Sequence, residues 1–136
     1  MRSVKARDYM RGKLVTFTPE TDYFNAIETL LKFKISSAPV LDEAGHVVGQ
    51  ITDATCLHNI MAGSYHDEVG GRVKDYMNTD FKSISPDVDV VDVAEILVEL
   101  GRAALPVVED GMLVGQLSCS DVLKAVYEFD VHAPET

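Results

Sequence analysis

Apolar and polar positions alternate along this chain in a pattern typical of short strands and amphipathic helices. The stretches "LVTFT" and "FKSIS" predict two short strands, each followed by a proline and acidic residues that indicate a helix start. Helices of about a dozen residues are predicted from Asp22 to Lys34 and from Asp89 to Gly101. Two hairpins are predicted in "SAPVLDEAGHVVGQIT" and "ALPVVEDGMLVGQLS". A further helix follows each hairpin, near Ala54 to Ala62 and Cys119 to Glu128.

The two halves of the pattern are copies of one unit. "ARDYM" at Ala6 aligns with "VKDYM" at Val73, an offset of 67 positions, and at that offset Pro39 falls on Pro106. The second hairpin turn is one residue shorter, "EDG" against "DEAG", and "VGQ" then aligns with "VGQ". A hairpin turn tolerates a difference of one residue.

These elements predict an α+β fold of two β-α-β-β-α repeats. The predicted boundaries are 1–63 for the first repeat, 64–72 for a linker, 73–131 for the second repeat and 132–136 for a C-terminal tail. One strand plus a hairpin, with both helices on one face, leaves an open apolar surface on the sheet. We therefore expect the repeats to pack face to face with pseudo-two-fold symmetry. A duplicated fold without any ligand is the alternative.

Composition narrows the classes of partner. The formal net charge of −10 argues against nucleic acid, because phosphate backbones are bound through clustered lysine and arginine. No apolar run approaches the length of a membrane span or of a signal peptide, so no membrane partner is expected. Cys56 and Cys119 stand at non-equivalent positions, and no Cys/His spacing suggests a metal site. We expect a cytoplasmic protein without a metal.

The junction between each hairpin and its last helix carries the most distinctive polar residues. In "GQLSCSDVLKAV" Ser118 and Asp121 stand three positions apart at the expected helix start, whereas "GQITDATCLHNI" places Thr52 and Thr55 there. Ser-x-x-Asp at a helix start is close to an ordinary capping box, which is one interpretation of the pair. The other is a binding site, because free N–H groups in the first turn favour an anion.

In these motifs the chain resembles the cystathionine beta-synthase (CBS) domain, whose units occur in tandem pairs called Bateman modules. The resemblance extends from about Val4 to Phe129 and rests on four motifs that occur twice, in the same order. They are the "DYM" helix, the Thr or Ser three residues before proline in "TFTP" and "SISP", the "PV" strand, and "VGQ" followed by an apolar residue and Thr or Ser.

The resemblance implies a regulatory module that binds an adenosine-containing ligand and is not a catalyst. The ligand would be AMP, ADP or ATP, with S-adenosylmethionine or NAD as further candidates. Carried over by position, one cleft would combine Thr16, Ile35, Ser36, Ala38, Ser118 and Asp121. A weaker second cleft would combine Ser83, Arg102, Ala103, Leu105, Thr52 and Thr55.

The two clefts are expected to bind unequally. A carboxylate can accept hydrogen bonds from both hydroxyls of a ribose, and such charge-assisted bonds are roughly twice as strong as neutral ones. Asp121 can therefore make contacts that Thr55 cannot. Arg102 is a candidate cation beside the weaker cleft, and Lys13 and Lys34 are candidates beside the other. Cys119 is expected at the first turn of the last helix, as a small packed residue or as a reactive thiol.

Two functions from different classes are compatible with this sequence. The first is a sensor that signals to an unknown effector protein in trans, since no Ser/His/Asp or paired-carboxylate constellation indicates an enzyme. The second is an oligomerisation or scaffold module with vestigial clefts. "VVDVAEILVEL", from Val90 to Leu100, has a wider apolar surface than one core-facing stripe needs, which predicts a homodimer or larger assembly.

Overall fold

The computed structural model describes residues 4–62 and 71–132, and side chains up to residue 128. It confirms the α+β class. The elements in chain order are α1 (Ala6–Tyr9), α2 (Tyr23–Phe33), β1 (Ser37–Leu41), β2 (Val47–Thr52), α3 (Asp53–Met61), α4 (Val73–Tyr76), α5 (Val90–Leu100), β3 (Ala104–Glu109), β4 (Met112–Ser118) and α6 (Cys119–His132).

The chain divides into two compact units. Residues Val15–Phe81 form one unit, here called the Thr55 unit. The Asp121 unit combines Lys82 onward with the N-terminal segment up to Leu14. The expected face-to-face packing of the repeats, with pseudo-two-fold symmetry, stays a prediction.

Each unit contains a two-stranded antiparallel hairpin. In the Thr55 unit β1 pairs with β2, with Ala38 opposite Ile51 and a bulge between Val40 and Leu41. In the Asp121 unit β3 pairs with β4, with Leu105 opposite Leu117 and a bulge between Val107 and Val108. The matching registers and bulges show that the duplication is structural as well as sequential.

The prediction of a first strand in each repeat is wrong. Within the described residues, "LVTFT" and "FKSIS" each contribute only one parallel bridge, Phe17 to Val40 and Ile84 to Val107. The Phe17 N–H donates to Pro39 O at 3.0 Å, and Phe17 O accepts from Leu41 N–H at 2.8 Å. The chain then enters a turn at Thr18, whose carbonyl accepts from Thr21 N–H at 3.1 Å, and this turn ends the pairing.

Helices α2 and α5 begin and end where the sequence predicts, whereas α6 extends beyond its predicted end at Glu128, to His132. The Asp22 side chain caps α2 by accepting from Asn25 N–H, and the Asp89 side chain caps α5 by accepting from Val91 N–H. Lys34 and Gly101 close these helices in the left-handed region, at φ 55° and 62°. The predicted ranges therefore include both caps of each helix.

The short opening helix of each repeat packs on the hairpin of the other repeat. In the Asp121 unit Ala6 N–H donates to Val88 O at 2.8 Å, and in the Thr55 unit Val73 N–H donates to Thr21 O at 2.8 Å. The compact units therefore contain different residue ranges from the predicted segments 1–63 and 73–131. Those segments describe the repeat in the sequence. Met10 lies against Gly115 and Met77 against Gly49, where no side chain obstructs the approach.

Candidate functional site

The junction of β4 and α6 forms a complete capping box in the Asp121 unit. Ser118 Oγ accepts from Asp121 N–H at 3.2 Å, and Asp121 Oδ2 accepts from Ser118 N–H at 2.9 Å. The Ser118 hydroxyl also donates to Asp121 Oδ2 at 2.9 Å. Asp121 is thus held in one orientation at the helix start, with only 8% of its surface exposed. The capping interpretation of Ser-x-x-Asp is confirmed as geometry, and it leaves one carboxylate oxygen turned elsewhere.

That second oxygen pairs with Arg11. Arg11 Nε donates to Asp121 Oδ1 at 3.1 Å, across a separation of 110 residues. The Arg11 side chain is 69% exposed and the Asp121 side chain 11% exposed, so a buried carboxylate meets a mostly solvated cation. Two backbone bonds position Arg11 on Gln116: each residue's N–H donates to the other's carbonyl at 3.0 Å.

The corresponding junction in the Thr55 unit lacks both charges. Thr52 Oγ1 accepts from Thr55 N–H at 3.0 Å and donates to Thr55 Oγ1 at 2.8 Å, so the cap is neutral. Asn78 takes the place of Arg11. It exchanges backbone bonds with Gln50, at 2.9 Å and 2.8 Å, and its side-chain oxygen accepts from Asp80 N–H at 2.9 Å. The two junctions share a backbone frame and differ by an ion pair.

The residues before each "PV" strand lie at the same junctions. Ala103 O accepts from Cys119 N–H at 2.9 Å, and Ser36 O accepts from Asp53 N–H at 2.8 Å. The start of the hairpin and the start of the last helix are therefore joined in each unit by one backbone hydrogen bond. Cys119 is exposed and its thiol donates to Arg102 O at 3.4 Å.

The structure sorts the predicted site residues by unit. The Thr55 unit holds six of them: Thr16, Ile35, Ser36, Ala38, Thr52 and Thr55. The Asp121 unit holds the other six: Ser83, Arg102, Ala103, Leu105, Ser118 and Asp121. Each predicted cleft takes residues from both sets, and these combinations stay a prediction.

The predicted residues also differ in how accessible their side chains are. Thr16 and Ser83 are exposed, each directly before the bridging residue of its unit. Ile35, Ser36 and Arg102 are half-buried. Ala38 and Leu105 belong to the hydrophobic cores, so any polar contact at these two positions must come from the backbone.

Sequence reasoning missed Arg11 and Asn78. Both follow "DYM" directly, in "DYMR" and "DYMN", and they align at the same offset as the helices. A comparison of the side chains at these two equivalent positions could have found them, because one is a charged arginine and the other a neutral asparagine. The arginine pairs with Asp121, and the asparagine lies at the junction that has Thr55 instead. Lys13 and Lys34 are exposed.

The described part of the chain contains no group of three or more His, Cys, Asp or Glu side chains arranged to hold a metal ion. Within residues 4–62 and 71–132, no helix has the length and apolar character that crossing a membrane requires.

Comparison with known proteins identifies the family. The model of the CBS domain matches residues 6–62 and 73–128, which together make up most of the chain. The chain therefore belongs to the CBS domain family and carries two CBS repeats.

The curated relatives are mostly longer proteins. The A-adding tRNA nucleotidyltransferase of Aquifex aeolicus is 34% identical over 125 residues, which are 92% of this chain and 15% of that enzyme. The uncharacterized protein MJ1225 of Methanocaldococcus jannaschii is 29% identical, over 87% of this chain and 41% of that protein. The chain thus spans less than half the length of these two relatives.

Solved structures share the fold over nearly the whole chain. CBSX2 in complex with AMP is 27% identical, with a TM-score of 0.81 over 93% of this chain and 98% of that one. A structure of CBSX2 from Arabidopsis thaliana gives a TM-score of 0.82 at 27% identity, over 95% of this chain and 98% of that one.

Proposed function

We propose that this chain is a regulatory sensor that binds an adenosine-containing ligand of the AMP, ADP or ATP class. The observation that carries the proposal is the Ser118–Asp121 junction, where a buried carboxylate stands at a helix start in a chain of two CBS repeats. CBSX2, which shares the fold at 27% identity, was solved in complex with AMP. CBS pairs are generally regulatory modules rather than catalysts.

The proposed contacts follow the chemistry of each group. Asp121 accepts hydrogen bonds from the ribose hydroxyls. The side-chain hydroxyls of Ser118 and Thr16 donate to ribose or phosphate oxygens. Ile35 supplies apolar contact to the adenine, while backbone groups near Ser36 and Ala38 recognise its edge. The set with Ser83, Arg102, Ala103, Leu105, Thr52 and Thr55 forms a weaker site, because a neutral threonine replaces the carboxylate.

The signal would reach an effector protein in trans, with the chain acting as a homodimer. Both units support an assembly, since each presents apolar side chains to solvent on its two longer helices. They are Leu31, Leu57 and Met61 in the Thr55 unit and Val98, Leu123 and Tyr127 in the Asp121 unit. These sets correspond to each other in the repeat.

A scaffold without a ligand is the second candidate function. It is favoured by one observation: Asp121 already has partners on both oxygens, in Ser118 and Arg11. A carboxylate engaged in this way stabilises the junction whether or not a ligand binds.

Thermal unfolding with AMP, ADP, ATP, S-adenosylmethionine and NAD separates the two functions. A ligand at about 100 times its Kd adds roughly 2.7 kcal/mol to the free energy of unfolding. For a chain near this size we expect a Tm rise of about 5–10 °C. A flat response to all five compounds would leave the scaffold function standing and the sensor function rejected.

A further inference from the structure

The carboxylate of Asp121 has too few open acceptor positions for a ribose. An ionised carboxylate offers about four acceptor positions. Oδ2 already accepts from Ser118 N–H and from the Ser118 hydroxyl, both at 2.9 Å, and Oδ1 accepts from Arg11 Nε at 3.1 Å. One position is left on Oδ1, whereas two ribose hydroxyls that bind side by side need two. The capping bonds belong to the fold, so Arg11 is the partner that can leave.

The Arg11 guanidinium can leave Asp121 without disturbing the fold. Its side chain is 69% exposed, and its backbone stays bound to Gln116 whatever the guanidinium does. Because the guanidinium end of the pair is mostly solvated, releasing it to water costs less than breaking a fully buried pair would, and the ligand then replaces it beside the carboxylate. The guanidinium carries five N–H donors in a planar fork, which suits a phosphate as well as a carboxylate.

We propose that Arg11 is a specificity-determining residue that moves from Asp121 to the phosphate of the ligand. The inference rests on the proposed function and adds the residue that discriminates between ligands: through Arg11, an adenosine ligand with a phosphate is favoured over uncharged adenosine. The phosphate draws Arg11 away, and the carboxylate oxygen that it vacates accepts the second ribose hydroxyl. Adenosine lacks the group that repays this displacement, so it competes with Arg11 for the same oxygen.

The variant Arg11→Gln should bind AMP and adenosine with opposite changes in affinity. Arg11→Gln removes a charge-assisted contact to phosphate, so AMP affinity should fall about 10- to 100-fold. Adenosine affinity should stay constant or rise, because its competitor at Asp121 is gone. Lys32→Gln removes an exposed cation that belongs to neither predicted cleft, and should leave both affinities as in the parent. Arg11→Lys keeps the charge but not the fork, and should retain part of the preference for AMP.

Calorimetric titration of the parent and the three variants with AMP and with adenosine tests this. A ratio of AMP to adenosine affinity that is unchanged in Arg11→Gln would overturn the inference, while leaving the proposed function intact. If both affinities fall equally, Arg11 only orients Asp121. A parent that binds neither ligand rejects both. Should Arg11→Gln fail to fold, the AMP to adenosine ratio of Arg11→Lys decides, because a ratio equal to the parent's would contradict a role for the planar fork.

Discussion

At the scale of single residues, the exchange of Asp121 for Thr55 between the duplicated junctions is accompanied by an exchange of the residue that approaches each junction. Asp121 is accompanied by Arg11, and Thr55 is accompanied by Asn78. A buried carboxylate is costly to keep charged unless a cation or hydrogen-bond donors compensate it. The carboxylate therefore stands in the unit where the chain supplies an arginine and two Ser118 donors, and the neutral junction needs neither.

Asp121→Ala should weaken nucleotide binding more than it weakens the fold. Loss of the capping interaction should lower the free energy of unfolding by about 0.5–2 kcal/mol. Loss of a charged acceptor for the ribose should lower the binding free energy of AMP by about 1.5–3 kcal/mol. Denaturant unfolding and calorimetry measure the two quantities, with Thr55→Ala as the matched change at the neutral junction. A variant that unfolds more easily yet binds AMP like the parent would show that Asp121 is a cap alone.

Alkaline pH should destabilise the Thr55 unit through Tyr23 and Cys56. Burial, and then the hydrogen bond to Cys56, raises the pKa of Tyr23 above its ordinary value of 10.0. Burial likewise raises the pKa of the Cys56 thiol above 9.0. Both groups lose their protons more readily in the unfolded chain, so their contribution is fully present below about pH 9 and is lost as pH rises.

The pH dependence of Tm measures this effect. Tyr23→Phe should make the alkaline decline of Tm shallower, because the phenol that must stay protonated in the fold is gone. Equal slopes for the parent and Tyr23→Phe would contradict the assignment.

At the scale of elements, the short opening helices depend on glycine in the strands that they cover. A Cβ on Gly115 would lie 2.6 Å from the sulfur of Met10 and 3.0 Å from the carbonyl oxygen of Arg11. Gly49 faces Met77 in the same way, at 2.5 Å. Because α1 leads directly into Arg11, the packing at Gly115 also determines where the guanidinium lies.

Gly115→Ala should therefore damage both stability and the ion pair. Overpacking of this kind costs about 1–3 kcal/mol in the free energy of unfolding. Gly12→Ala is the control: a Cβ there meets no atom within 4 Å, and the change should stay within about 0.5 kcal/mol. Denaturant unfolding compares them. Equal stabilities of the two variants would mean that α1 shifts freely and does not position Arg11.

At the scale of the whole molecule, each unit has an apolar helix surface that its own core does not use. On α5 the side chains of Val93 and Leu97 are buried, whereas Val98 is 83% exposed. On α6 Leu123 and Tyr127 are exposed one turn apart. Helices α5 and α6 contact each other, and exposed apolar side chains on neighbouring helices are typical of a protein interface.

Val98→Glu and Leu123→Glu should each shift a dimer toward the monomer of 14.9 kDa. A charge buried in an apolar interface is strongly unfavourable, whereas on a solvated monomer surface it costs little. Light scattering at micromolar concentration measures the mass. Glu43→Lys, on an exposed position in the turn between β1 and β2, should leave the assembly unchanged. A parent that is already monomeric would remove the homodimer from the proposed function.

The interactions that lie close along the chain were determined by the sequence itself. Helices α2 and α5 could be located because their caps, Asp22 with Lys34 and Asp89 with Gly101, act within one turn of the helix end. The Ser118–Asp121 box could be identified for the same reason, since its partners are three residues apart. The repeat itself follows from matching motifs, and it predicted the family and the α+β class.

Only the tertiary structure decided which partners meet across long separations. The predicted strands at "LVTFT" and "FKSIS" shrank to single bridges, because the alternation of apolar residues does not show how far a neighbouring strand will pair. The exchange of the opening helices, and with it the contact of Arg11 with Asp121 across 110 residues, left no local pattern in the sequence. Such contacts depend on which surfaces can approach closely, here methionine against glycine, and this is decided by packing of the folded chain.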